Sequence, residues 1–389
     1  MSSNTLDVKS KKEKKMTIKE KERLDLGSDP ALKLTSKNEY RAVLRKYLPE
    51  EYFKPDTKHV FHYLTCITLY LTGIYCVANS HFLPLRLLVS ILMGITLGSL
   101  TFFLHDLFHE SIIKSKPVAY LTGLSIGIFN LFAPLFWQRV HNFHHARTGN
   151  VDDPDRSYIL SEKPANAIEK FVYRFRISNE AFHPFVSLVF MSTGFFWYFL
   201  NTMFYGLLAK KTSIKEDKKY QRIQSLFTNK DRLIVLGELV TIFAFQVFLF
   251  TVIAGGNLMT YFLVSLLPVA ISHFIAMSYI HTNHFLSPLT GDIDDPLINS
   301  LSLKNSWIVD KIFSNFSHHV EHHLFPAMGS SHYPKVRTLL LKLYPNRFQL
   351  IPMIDAMKML FKTPRIYSDY VHLTTSDGTK KMQCLLPKA

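Results

Sequence analysis

Six apolar runs, at residues 60–78, 84–104, 118–137, 185–209, 233–254 and 257–280, leave this chain few folds to choose from. About 20 helical residues cross the roughly 30 Å hydrocarbon core of a bilayer. Within that core an irregular segment would leave its backbone N–H and C=O groups unsatisfied, so runs of this length and polarity read as helices in lipid. Composition agrees: 48% of the residues are hydrophobic and 32 are Phe, which sets aside the two or three soluble domains that 389 residues would otherwise suggest.

The formal net charge of +15 is concentrated in the first 58 residues and in residues 210–232. Both stretches flank apolar runs, as cytoplasmic segments do under the positive-inside rule. No nucleic-acid recognition motif accompanies the charge, so no nucleic-acid partner is expected. Nor does a short apolar core with a cleavage site follow the N-terminal lysines, which excludes a secretory signal. The three cysteines, Cys66, Cys76 and Cys384, form neither a disulfide framework nor a Cys-x-x-Cys metal site.

With a cytoplasmic N-terminus, the first two runs go out and back around "NSHFLPLR", and His105 emerges on the cytoplasmic side. The last two form a similar hairpin around "AGGN" and deliver His281 to the same side. Runs three and four then begin and end on that side, so each must be interfacial or re-entrant; Gly123, Gly127, Pro134 and Gly194 interrupt them accordingly. Six full crossings would strand His141 outside. The expected fold is therefore an all-α integral membrane protein: four transmembrane helices, two interfacial or re-entrant helices, and a cytoplasmic helical cap holding a di-metal site. Its expected organisation is a basic, largely disordered cytoplasmic N-terminus (1–50), a membrane domain (51–350) and a cytoplasmic C-terminal tail (351–389).

Histidines cluster at the cytoplasmic ends of these runs. "HDLFH" places His105 and His109 four apart, on one helix face. "HNFHH" places His141, His144 and His145 at i, i+3 and i+4, and His319, His322 and His323 repeat that spacing inside "SHHVEHHLFP". A looser pair, His281 and His284, follows the last run. One i, i+4 pair is commonly a surface or core feature. Eight imidazoles in three helix-compatible arrays exceed the four ligands of a tetrahedral metal, which implies two ions. Imidazole suits zinc, copper, nickel and iron, and a site facing hydrocarbon has mainly C–H bonds to attack, which favours iron with O2. Asp106, Glu110, Asp152, Asp153 and Glu321 lie beside the clusters and could accept from the rings' second N–H. His318 falls out of register and reads as a neighbour, while His183 and His273 read as structural.

These motifs resemble the membrane fatty acid desaturase family, the histidine-box di-iron enzymes. H-x-x-x-H at His105 and His109, H-x-x-H-H at His141 to His145, and H-x-x-H-H at His319 to His323 carry the likeness, and "VEHHLFP", "YPKV" and "LYPNRF" extend it over roughly residues 55–350. The resemblance implies four spans, a cytoplasmic cap with two histidine-held irons, and one further ligand that maps onto His284 or His281. It also implies O2-dependent introduction of a cis double bond into an acyl lipid or acyl-CoA, with the chain bent in an apolar tunnel. Phe102, Phe103, Trp137 and Phe274 are candidates for its wall. No His-Pro-Gly-Gly haem motif occurs, so electrons are expected from a separate carrier, a ferredoxin or a cytochrome b5, with the termini cytoplasmic in a bacterial inner membrane or the endoplasmic reticulum. The first box has the four-residue spacing, unlike the five-residue spacing of animal stearoyl-CoA desaturases. "HNFHHARTGNVDDPD" also resembles carotenoid ketolases and lipid hydroxylases, and a metal-dependent transporter or sensor is the reading from another class.

Overall fold

The computed structural model describes residues 33–150, 153–154, 184–207, 223–364, 366–375 and 378–387. Expectations for residues 1–32, Asp152, His183 and the basic stretch 210–222 lie outside the described residues. Helix α1 (Lys37–Leu44) is opened by a capping box in which Ser36 and Glu39 satisfy each other's backbone N–H groups. Next come α2 (His59–Asn79) and α3 (Leu83–Phe108), then α4 (Lys116–Asn130) and α5 (Pro134–Arg147), α6 (Pro184–Ser192) and α7 (Gly194–Asn201), and finally α8 (Asn229–Ile253) and α9 (Leu258–His284). Of the described helices, α2, α3, α8 and α9 are long and apolar enough to cross a membrane. The chain is thus a multi-pass membrane protein with the four expected spans.

α3 is the central span, packed along α2, α4 and α9. In its most apolar stretch 56% of the residues are buried inside the protein, against 22% for α8, which leaves α8 a peripheral helix with a largely lipid-facing surface. Close contact of α3 with α9 depends on Gly94: a methyl group there would sit 2.6 Å from Ile271 Cβ and 3.1 Å from the backbone oxygen of Pro268. Small residues at such crossings let backbones approach where no hydrophobic effect drives helices together.

The third apolar run does not cross. α4 and α5 meet at a bend of 103°, formed where Leu131 takes a left-handed conformation (φ 59°) and Pro134 starts a new helix. Both ends of the pair reach the same face, since His109 before α4 and His141 within α5 lie 3.0 Å apart, Nε2 to Nε2. In the fourth run α6 and α7 are short pieces that pack on α9.

Beyond α9 the chain builds a cap from α10 (Pro296–Asn299), strand β1 (Ser302–Lys304), α11 (Trp307–Ile312), α12 (His319–Leu324) and α13 (Tyr333–Leu343), followed by β2 (Leu350–Pro352) and α14 (Met353–Lys362). β1 pairs in parallel with β2, Ser302 opposite Leu350. Tyr40 and Leu44 of α1 are buried with Val320, Leu324, Tyr333, Val336 and Leu340, so part of the stretch expected as an N-terminal tail is built into the cap core. The expected C-terminal tail likewise contributes structure: β3 (Ile366–Tyr367), β4 (His372–Thr374) and β5 (Lys381–Gln383) form a small antiparallel sheet, with Tyr367 and Leu373 buried.

Candidate metal centre

Each histidine cluster ends an element that the local sequence stops at that point. His105 lies in the last turn of α3 and His109 is its C-cap; Glu110, at φ 58°, then turns the chain away. Box two occupies the last turns of α5, and box three is α12 itself. Because i, i+3 and i+4 positions share a helix face, each box projects its rings together into the space between α3, α5, α9 and α12.

Two groups result. His105, His109, His141, His145 and His322 each offer one nitrogen, all within 4.8 Å of one another. Neighbouring Nε2 atoms are 3.0 Å apart for His109 and His141, 3.1 Å for His141 and His145, and 3.1 Å for His145 and His322. The second group is His144, His284 and His323. His319 joins it, with Nε2 2.7 Å from that of His284 and 3.0 Å from that of His323. The groups interleave: α5 gives His141 and His145 to one and His144 to the other, and α12 gives His322 to one and His319 and His323 to the other.

The chemistry of these rings fits cations. Asp106 Oδ1 accepts from His105 Nδ1 at 3.0 Å, and Asp153 Oδ1 from His144 Nδ1 at 2.7 Å. A carboxylate only accepts, so the proton sits on Nδ1 and Nε2 presents a lone pair. Nε2 of His105 is buried with no hydrogen-bond partner. Tyr333 Oη lies 3.0 Å from His322 Nδ1 and fixes the orientation of that ring. Lone pairs converging in a buried space repel one another unless an ion sits between them. Partners on the far nitrogens are what metal-ligating imidazoles use to fix their tautomer.

A cavity of about 200 Å³ runs from both groups into the membrane region. Its walls include His105, His141, His144, His284 and His319 together with Phe102, Trp137, Phe190, Trp197, Tyr198 and Phe285. Trp137 stacks on His141 at 4.5 Å. An apolar chain entering here would run past both histidine groups.

The fatty acid desaturase family model matches residues 82–352, more than two thirds of the chain. This chain belongs to the fatty acid desaturase family. It is similar to a "Fatty acid desaturase" of Bacillus subtilis (strain 168), 23% identical over 283 residues that cover 71% of this chain and 74% of that one. Two plant relatives, each named "Delta(8)-fatty-acid desaturase", are also similar. That of Helianthus annuus is 21% identical over 84% of this chain and 72% of its own. That of Borago officinalis is 23% identical over 75% and 65%. A desaturase is an oxidoreductase that acts on lipid chains, and the cavity beside the histidines suits such a substrate.

The desaturase structure also sorts the remaining candidates. Of the two residues open for the additional ligand, His284 lies in the second group. His281, one turn earlier, sits on the cavity wall beside Phe285 and Phe190, with ring centroids 5.0 and 6.3 Å away. Glu110 is exposed and faces Lys116 instead of a histidine. Glu321 pairs with Arg337 at 2.6 Å and with Ser302, so it holds α12 in the cap. His318 turns to Ser317, and His273 Nε2 donates to the Asn130 carbonyl at 3.0 Å. Phe102 and Trp137 line the cavity. Phe274 is absent from its wall, and Phe103 stacks instead on Tyr63 in the span core. Tyr333 was legible only as part of "YPKV"; nothing in the spacing linked it to His322.

Burial first, and neighbouring imidazoles second, hold the protonation of His109, His322 and His323 well below the usual 6.5. Without metal, the unfolded chain takes up protons near 6.5 that the folded site refuses. The stability of the metal-free protein should therefore be level above about pH 6.5 and fall below it, by up to about 1.4 kcal/mol per pH unit for each such ring. Melting temperatures of metal-free protein at about pH 8 and about pH 5 check this; equal values would contradict it.

Proposed function

We propose that this protein introduces a cis double bond into the acyl chain of a lipid or acyl-CoA, using O2, two histidine-held iron ions and electrons from a separate carrier. The reading rests chiefly on one observation: rings from both histidine groups form the wall of the same apolar, aromatic-lined cavity. Bound iron would supply the activation of O2, so that O2, two electrons, two protons and one –CH2–CH2– unit become –CH=CH– and two waters. In this reading His105, His109, His141, His145 and His322 hold one ion, and His144, His284, His319 and His323 hold the other.

The protein's own part is placement. Phe102 and Trp137 would press the chain against the histidine face, so that one pair of methylenes stands nearest the ions and the depth of the cavity fixes which pair. Its aromatic lining excludes water, so that oxidising equivalents go to the chain. His109 and His145 are only partly buried, whereas the rings of the second group are buried. We therefore place electron entry on the side of the first group, where a ferredoxin or a cytochrome b5 would approach from the cytoplasm. The basic segments before the first span and between the fourth and fifth apolar runs suit an acidic partner of this kind. With that side cytoplasmic, both termini are cytoplasmic as well.

Lipid analysis of a heterologous host expressing the full chain tests the proposal. A new cis-monoene or diene with unchanged oxygen content is the expected product. A hydroxylated or ketonic product would transfer the site to oxygen insertion, and an unchanged lipid profile in the presence of a competent electron donor would refute the reading.

A further inference from the structure

Glu238 lies within α8 and is 2% exposed, although most of that helix faces lipid. A carboxylate in a membrane span is costly unless fully bonded, and its presence there marks a role. Oε1 accepts from the Tyr120 hydroxyl at 2.9 Å, and both carboxylate oxygens lie 3.2 Å from the backbone N–H of Leu135. Leu135 is in the first turn of α5, whose N-cap residue, Ala133, has no side chain able to cap it. Glu238 therefore provides from a different helix what a capping side chain normally provides: an acceptor for an orphan N–H.

A second grip lies one turn along. Arg139 donates to Asp231 Oδ1 at 2.8 Å, and Asp231 is itself fixed by a capping box with Thr228. Asp231 and Glu238 are two turns apart on one face of α8; Leu135 and Arg139 are about one turn apart on α5. The break at residues 131–133 uncouples α5 from α4, so the preceding helix does not dictate where α5 points. Yet α5 carries His141, His144 and His145, which are divided between the two histidine groups. A small slide or rotation of α5 would disturb both groups at once.

We propose that Glu238 is a positioning residue: by bonding the first turn of α5 it sets the register of box two and hence the geometry of both metal sites. This rests on the reading of the histidine groups as metal sites and not on the identity of the substrate. The test uses purified full-length protein in detergent, titrated with Co(II) and, separately, Fe(II), without substrate. Metal per chain, affinity and the Co(II) ligand-field spectrum are read beside the melting temperature. Glu238→Gln keeps an acceptor and should behave like wild type. Glu238→Leu should reach the membrane and melt close to wild type, but bind metal at least about 10-fold more weakly at both sites, the scale on which partners of ligating groups act, with an altered Co(II) spectrum. If Glu238→Leu does not accumulate, Leu135→Pro deletes the donor from a helix turn that tolerates proline and carries the same expectation.

A Leu variant with wild-type affinity and spectrum would overturn the proposal. So would weakening confined to one site, or a Gln variant as impaired as the Leu variant, since the charge and not the bonded geometry would then matter. Wild-type protein that binds two metals but forms no alkene would sink the desaturation reading and leave this one standing; wild-type protein that binds no metal would overturn this one.

Discussion

Changing His322 to alanine is expected to abolish the double-bond product while leaving the chain in the membrane. Its Nε2 is 3.1 Å from that of His145, and its ring centroid lies 4.2 Å from that of His105 and 4.8 Å from that of His109. It is also the one member of the first group contributed by the cap, so its loss opens that group on a whole side. Removing a partner of a ligand typically lowers metal affinity or activity about 10–100-fold, so removal of the ligand itself should exceed about 100-fold. Lipid profiles and metal per chain measured on the same preparations check this, with metal falling from two toward one. Full activity in the variant would remove box three from the site.

The second large effect separates two histidines one turn apart. His284→Ala should lose the metal of the second group and with it activity, again by more than about 100-fold, because His284 faces His319 at 2.7 Å and shares a group with His144 and His323. His281→Ala should keep both metals. It lies on the cavity wall against Phe190 and Phe285, so its loss should alter the distribution of products or the apparent affinity for substrate more than metal content. Elemental analysis of both variants decides the matter: a His281 variant depleted of metal, beside a His284 variant that retains it, would reverse the assignment.

The pair shows where sequence reasoning stops. His281 and His284 differ by about 100° × 3 around the helix axis, roughly 60° short of a full turn. Spacing alone could not say which of those directions meets His319, because the rotation of α9 is set by its packing on α3 at Gly94. The same holds for the acids. Asp106 and Asp153 were singled out by proximity in sequence, as were Glu110 and Glu321; only the left-handed turn at Glu110 and the position of Arg337 send the latter two away from the rings.

What the sequence determined by itself were the features written in period and length: four spans, from runs long enough for lipid; a broken third run, from its glycines and Pro134; and three boxes, from i, i+3 and i+4 spacing that needs no neighbour to be read. What the tertiary structure alone decided was how box two divides between the two histidine groups, and which buried carboxylate, Glu238, bonds the first turn of its helix. Both depend on contacts between residues more than a hundred positions apart, and helical periodicity, a local property, carries no information about the mutual rotation of packed helices.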